Sequence, residues 1–107
     1  KFAHDGYLKV LTLNPDTENM IMGAIKKNGN ASYVSLSPDI MKKIISSHIN
    51  EESKLKEHTN DVIILTSPIV RFYYKKIIEQ FSSEAVVLSF NEINSDVNIQ
   101  SLGTITV

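Results

Sequence analysis

Cysteine is absent from this chain of 107 residues, which excludes a disulfide framework, a thiolate metal site and a cysteine nucleophile. Charge of one sign is lacking as well. Eleven Lys and Arg against twelve Asp and Glu leave a formal net charge of −1, so no long-range field concentrates nucleic acid or anionic lipid. The longest apolar runs reach about five residues, against roughly 18 to 20 for a membrane span, and no signal-peptide pattern opens the chain. The piece is therefore expected to be soluble. Beginning at Lys1 rather than Met, it is expected to be a fragment of a larger protein or a processed product. Its length supports one domain, burying roughly 65% of the surface that the unfolded chain exposes.

Proline is scarce, and its three occurrences share one context. An apolar run leads into Asn14-Pro15, Ser37-Pro38 or Ser67-Pro68, and a stretch with helical spacing follows each time. Asn and Ser cap helix N-termini well, and proline suits the first helical position, where its missing N–H costs nothing. Each junction therefore reads as a strand ending where a helix begins.

The expected elements follow from these junctions. Residues 7–13 form a strand with both faces buried, Leu8 and Val10 opposing Leu11 and Leu13. A helix over about 15–28 follows, stopped by Asn28-Gly29-Asn30. After a short strand at 32–36, the longest helix carries Ile40, Met41, Ile44, Ile45, His48, Ile49, Glu52 and Leu55 on one stripe. The run from 51 to 61 reads as a solvated last turn and loop. Residues 62–65 are a continuous apolar run, the mark of a strand covered on both faces. A helix to about Phe81 buries Val70, Tyr74, Ile77, Ile78 and Phe81, and a second covered strand spans 85–90. Alternation over 97–107 predicts a strand with one wet face. Because Asn94-Ser95-Asp96 is too short for a parallel crossover, it is expected to run antiparallel at a sheet edge. The fold class is thus α/β, one small domain ordered β-α-β-α-β-α-β-β, with a mostly parallel or mixed sheet flanked by helices.

If the first four strands are parallel, Asn14, Ser37, Ser67 and Asn91-Glu92 lie at one strand-end edge, with Asp16 and Asp39 just inside two helices. That edge suits a ligand or divalent cation. Acidic residues beside capped N-termini are more simply read as dipole complementation. None of the four glycines lies at a junction, so a phosphate-cradling loop is absent. His4, His48 and His58 are scattered, the last two falling about 280° apart on a helix, so no histidine metal site or Ser-His pair is legible. Arg71 is the single arginine, and its planar donor fork suits a carboxylate or a clamp around Asn91-Glu92.

Residues 62–79 (VIILTSPIVRFYYKKIIE) and 86–93 (VVLSFNEI) resemble the C-terminal end of the FlhA, LcrD and InvA family, the large export-gate proteins of flagellar and virulence type III secretion. The ordered pattern is an apolar strand, Thr-Ser-Pro, arginine three residues after the proline, an aliphatic helix with Ile-Glu, then Val-Leu-Ser-x-Asn-Glu-Ile. Residues 97–103 (VNIQSLG) and 8–15 extend it, and the flagellar branch fits best. The resemblance implies a soluble last subdomain of the cytoplasmic part of an integral inner-membrane protein, joined to the membrane only through an N-terminal part absent here. It implies a nonameric ring, and as partners the parent's other subdomains, export chaperone–substrate complexes and soluble export components, with no nucleic acid. No hydrolysis and no cofactor are implied. Ser67, Arg71, Asn91, Glu92 and Ile93 are the candidate partner-binding residues, each with a structural role in capping or turn geometry as the competing reading. A small-ligand or cation-binding α/β sensor domain is the alternative function.

Overall fold

Four parallel strands form the main sheet of the computed structural model, which describes residues 7–107; the polar start, with His4, lies outside the described residues. The elements are β1 (Tyr7–Leu13), α1 (Pro15–Gly23), β2 (Ile25–Asn28), β3 (Ala31–Val34), α2 (Pro38–Leu55), β4 (Ile63–Thr66), α3 (Pro68–Ile78), β5 (Val86–Ser89), a 3-10 turn at Phe90–Glu92 and β6 (Asn98–Ile105). Strand order is β5-β4-β1-β6. The α/β class, the mostly parallel sheet and the flanking helices agree with the sequence reading. β4 lies inside the sheet with all four residues buried, as its β-branched run requires.

The three helices share one face. Ile21 of α1, Ile44 and Leu55 of α2, and Val70, Tyr74 and Ile78 of α3 meet Leu11, Leu13, Ile64, Val87 and Ile105 in one cluster. On the opposite face Leu8, Val10, Ile63 and Leu65 form a second cluster, against which Leu88, Ile93 and Val97 pack. Along β1 and β4 successive residues alternate between the two clusters, as the period of a strand demands.

Three expectations are corrected. α1 ends at Gly23, and Ile25–Asn28 pairs antiparallel with Ala31–Val34 as a separate hairpin. A helix to 28 would hold Gly23 in its interior, at about 1 kcal/mol relative to Ala. Gly29-Asn30 instead forms the two-residue turn between the paired Asn28 and Ala31, with Gly29 at φ +66°, where a residue with a Cβ is strained. Ser37 therefore caps α2 behind a hairpin strand, away from the C-terminal edge of the main sheet.

The second correction concerns β6, which lies at an edge but runs parallel to β1, not antiparallel to β5. The crossover uses all of 90–97, and Ile93 and Val97 seat it on the second cluster. A bulge makes Val10 pair with Ser101 but Leu11 with Gly103. Neighbours in register point the same way, so Ile99 and Ser101 share the face of Leu8 and Val10, whereas Gly103 and Ile105 share that of Leu11 and Leu13. The apolar alternation of 97–107 thus serves two faces in turn.

Third, the stripes of α2 and α3 are narrower than their spacing suggests. Ile44, His48 and Leu55 are buried while Ile49 is 53% exposed, and α3 stops at Ile78 with Phe81 38% exposed. Glu52 is half-buried inside α2, as its place on the stripe implies, and not in a solvated last turn.

This geometry separates two isoleucines five residues apart on one helix. Ile44→Ala is expected to lower unfolding free energy by about 2–5 kcal/mol, and Ile49→Ala by less than about 0.5 kcal/mol, in urea titrations followed by circular dichroism.

Candidate functional site

Parallel strands end together, so Asn14, Ser67 and the Ser89–Ile93 segment gather at the C-terminal edge of the sheet, while Ser37 and Asp39 are carried off by the hairpin. Asn14 caps α1 through its side chain, accepting from the Asp16 N–H at 2.8 Å, and Ser37 caps α2 by accepting from the Ile40 N–H at 3.3 Å. Ser67 does not cap α3. Its Oγ is buried without a hydrogen-bond partner, and its N–H donates instead to Glu18 Oε2 at 2.7 Å. A carboxylate from α1 thus occupies the positive end of α3.

Arg71 and Glu92 come together as the planar-fork argument anticipates, with Nε 2.6 Å from Oε1. The same carboxylate oxygen accepts from the Ser89 N–H at 2.9 Å and from Ser89 Oγ at 3.0 Å. Hydrogen bonds from the Ser89 backbone and hydroxyl, together with the Arg71 charge, hold the Glu92 carboxyl below its ordinary range. Asn91 turns its side-chain oxygen to the Ser89 hydroxyl, and Ile93 points into the second cluster. Four of the five candidates therefore belong to one arrangement that clamps the 3-10 turn to α3, and Ser67 begins that helix. Around the clamp the edge remains open: the Arg71 and Glu92 side chains are 44% and 38% exposed, and Ile69, at the start of α3, and Phe90, in the 3-10 turn, are exposed as well.

Sequence reasoning missed Glu18 and Ser89. Ser89-x-x-Glu92 is nevertheless a Ser-x-x-Glu capping box, a signal present in the chain itself. Glu18 carried no signal, because its partner is 49 residues away.

A second polar array lies in the helical layer. His48 is fully buried, with Nδ1 2.6 Å from Tyr74 Oη and Nε2 3.0 Å from Glu52 Oε1. Glu52 Oε1 also accepts from Ser82 Oγ at 2.5 Å. An ionised carboxylate only accepts, so Nε2 carries the proton and Nδ1 of the neutral ring accepts from the Tyr74 hydroxyl. Burial lowers the His48 pKa, although the Glu52 hydrogen bond and charge oppose it. For Glu52, burial acts upward but is outweighed by hydrogen bonds from Ser82 and His48 and by the charges of His48 and Lys56, so its pKa is lowered. Burial raises that of Tyr74. The array is closed to solvent at the histidine and bolts α2 to α3 and to the turn after it. A buried ring with both nitrogens satisfied is a packing element, as the scattered histidines suggested.

The comparisons agree with this architecture. A profile of the FHIPEP family matches residues 1–98, and the chain belongs to that family. It is 34% identical over 100 residues to the flagellar biosynthesis protein FlhA of Bacillus subtilis, covering 94% of this chain and 15% of that protein. It is 29% identical over 105 residues to the invasion protein InvA of Salmonella typhimurium, covering 98% of this chain and again 15% of the relative. The chain thus spans about a seventh of the curated relatives it matches. Among solved structures, the C-terminal domain of InvA superposes with a TM-score of 0.85 at 28% identity, over 97% of this chain and 32% of that one. The Chlamydia pneumoniae CdsV and CdsO protein complex gives 0.83 at 35% identity, over 94% and 30%. The nonameric EscV cytosolic domain from the type III secretion system gives 0.69 at 32% identity, over 92% and 28%.

Stability should fall on acidification through the His48 array. With both folded pKa values depressed, the unfolded chain binds more protons. The His48 contribution is complete above its ordinary pKa near 6.5 and is lost as pH falls through the lowered folded value, that of Glu52 following at more acid pH. Tyr74→Phe leaves Nδ1 unsatisfied and is expected to cost about 1–3 kcal/mol at neutral pH. Denaturant midpoints measured from pH 8 to 5 check both; a flat profile, or an unchanged midpoint in Tyr74→Phe, contradicts the assignment.

Proposed function

We propose that this chain is a noncatalytic subdomain of the cytoplasmic part of a flagellar type III export-gate protein, the last of that part, acting in ring assembly and as a docking platform at the inner face of the bacterial inner membrane. The observation that carries the reading is the family match over residues 1–98, joined to superposition on a nonameric cytosolic domain and on a chain solved with a second protein, CdsO. The site chemistry is in keeping with it. Most of the polar side chains gathered at the strand-end edge serve as caps and clamps, and the Glu92 carboxylate that accepts from the Ser89 hydroxyl is also held by the Ser89 N–H and Arg71. Among the described residues no helix is long and apolar enough to cross a membrane.

On this reading the Arg71–Glu92 clamp has two faces. Inward, it fixes the turn that leaves β5; outward, it offers an ion pair, with Ile69 and Phe90 exposed at the same strand-end edge, to a neighbouring subdomain, a soluble export component or a chaperone–substrate complex. Aromatic residues and Arg are enriched at the centres of protein–protein interfaces. The alternative of a cation or ligand sensor draws no support from this edge, since among the described residues no group of three or more His, Asp and Glu side chains is gathered that would hold a metal ion.

Phe90→Ala and Ile69→Ala remove exposed contact area while leaving the clamp intact. In the full-length parent they are expected to reduce export or motility at least severalfold, with the thermal midpoint of this chain changed by less than a few degrees. Unchanged export in both variants would remove this edge from the docking surface, and saturable thermal stabilisation by magnesium or a nucleotide would favour the sensor.

A further inference from the structure

The hairpin β2–β3 has an open edge. Ile25 pairs with Val34, Lys26 with Tyr33, Lys27 with Ser32 and Asn28 with Ala31, and the Ser35 N–H donates to the Ala24 carbonyl at 2.8 Å. Hydrogen-bonded positions alternate in an antiparallel pair, so residues 31, 33 and 35 face β2. Ser32 and Val34 therefore turn their N–H and C=O groups outward, and among the described residues no backbone group beyond the hairpin meets them. At the β5 edge of the main sheet side chains take two such groups: Lys75 Nζ donates to the Ala85 carbonyl at 2.8 Å, and the Ser89 N–H is taken by Glu92. Among the described residues no side chain meets the outward groups of Ser32 and Val34 in this way.

Alongside it runs a groove of about 780 Å³, walled by β3 itself, by Met41 and Ile45 of α2 and by Phe72, Lys76 and Ile77 of α3. Phe72 and Tyr33 are 53% and 50% exposed there. The groove is held open by a hydrogen bond between Ser32 Oγ and Tyr73 Oη at 2.9 Å and by the edge-on packing of Phe72 against Tyr73. Its charge is of one sign. Among the described residues Lys76, lying 5.3 Å above the Phe72 ring, is the one charged member of the lining, and Lys26 and Lys27 stand across the hairpin from Tyr33 and Ser32.

We propose that this groove takes an extended segment of a partner protein in which acidic residues alternate with apolar ones, added to β3 as a third strand. Main-chain bonds from Ser32 and Val34 hold the backbone, and alternate apolar side chains fill the wall of Met41, Ile45 and Phe72. The carboxylates, turned to the other face, lie nearest Lys26, which shares the face of Tyr33, while Lys27 and Lys76 add positive charge on the groove side. Positive charge selects an acidic segment, and the open edge selects an extended one over a helix. The groove is distinct from the Arg71–Glu92 edge, and its occupancy does not depend on the export-gate reading.

The test uses the 107-residue chain, labelled with ¹⁵N, and a capped synthetic heptapeptide in which Glu alternates with Val and Phe. Saturable shifts of the Ser32 and Val34 amides are expected, with affinity reduced at least threefold in Phe72→Ala and in Lys76→Glu, both at exposed positions that leave the fold intact. The same peptide N-methylated at alternate residues keeps its side chains and should lose binding. Equal binding of the N-methylated peptide, equal binding of a peptide with Lys in place of Glu, or absence of shifts at the β3 edge would overturn the proposal. Concentration-dependent dimerisation that shifts the same amides without peptide would also overturn it, assigning the edge to a second copy of this chain.

Discussion

The chain must travel from one edge of the sheet to the other in eight residues, and the rest of the fold is arranged around that constraint. Strand order β5-β4-β1-β6 puts three inter-strand spacings between the end of β5 and the start of β6, about 14 Å sideways. Residues 90–97 coiled as a continuous α-helix would extend only about 12 Å, too little for the crossing. The segment instead takes two tight turns, the 3-10 turn at Phe90–Glu92 and one closed by the Val97 N–H donating to the Asn94 carbonyl at 3.0 Å. The second face thus carries a short irregular strap, while α1, α2 and α3 all sit on the first. Ile93 and Val97 give the strap its apolar contacts with Leu8, Val10, Ile63 and Leu65.

A strap so short needs a fixed point of departure. Glu92 supplies it by accepting from Ser89 twice and meeting Arg71, so that the turn out of β5 is fastened to the helix packed on the opposite face. Residues that resemble a family motif thereby acquire a physical reason for their order: Arg71 one turn into α3, Glu92 at the third position of a capping box, Ile93 immediately after it as the first anchor. The clamp is partly exposed, which allows the same atoms to fix the backbone and to face a partner. The buried His48–Tyr74–Glu52–Ser82 array works on the helical side in an analogous way, joining α2 to α3 where apolar packing alone would leave their register free.

Much of this was legible in the chain. The Asn-Pro and Ser-Pro junctions mark the starts of all three helices, and the β-branched run at 62–65 marks the interior strand, because capping and burial on both faces are local demands. Arg71 and Asn91-Glu92 were paired from the donor geometry of a lone guanidinium. The errors arose where a local signal had two meanings. Asn28-Gly29-Asn30 stops a helix as well as it turns a hairpin, and the cost of Gly23 in a helix interior together with the packing against α3 selects the hairpin. The alternation of 97–107 predicts one wet face because a bulge leaves no mark in a periodic sequence. The connection is also longer than 94–96, since Ile93 and Val97 are part of the crossing. Glu18 at the N-terminus of α3, and Tyr74 and Ser82 around the His48–Glu52 pair, are long-range partners that no spacing discloses.

The strap across the helix-free face is the central claim, and methyl–methyl nuclear Overhauser effects test it most directly. With Ile, Leu and Val methyls labelled, the account predicts cross-peaks from Ile93 and Val97 to Leu8, Val10, Ile63 and Leu65, and none from either residue to Ile44 or Ile78. Cross-peaks to the helical side, or an Ile93 that meets only its sequence neighbours, would contradict it.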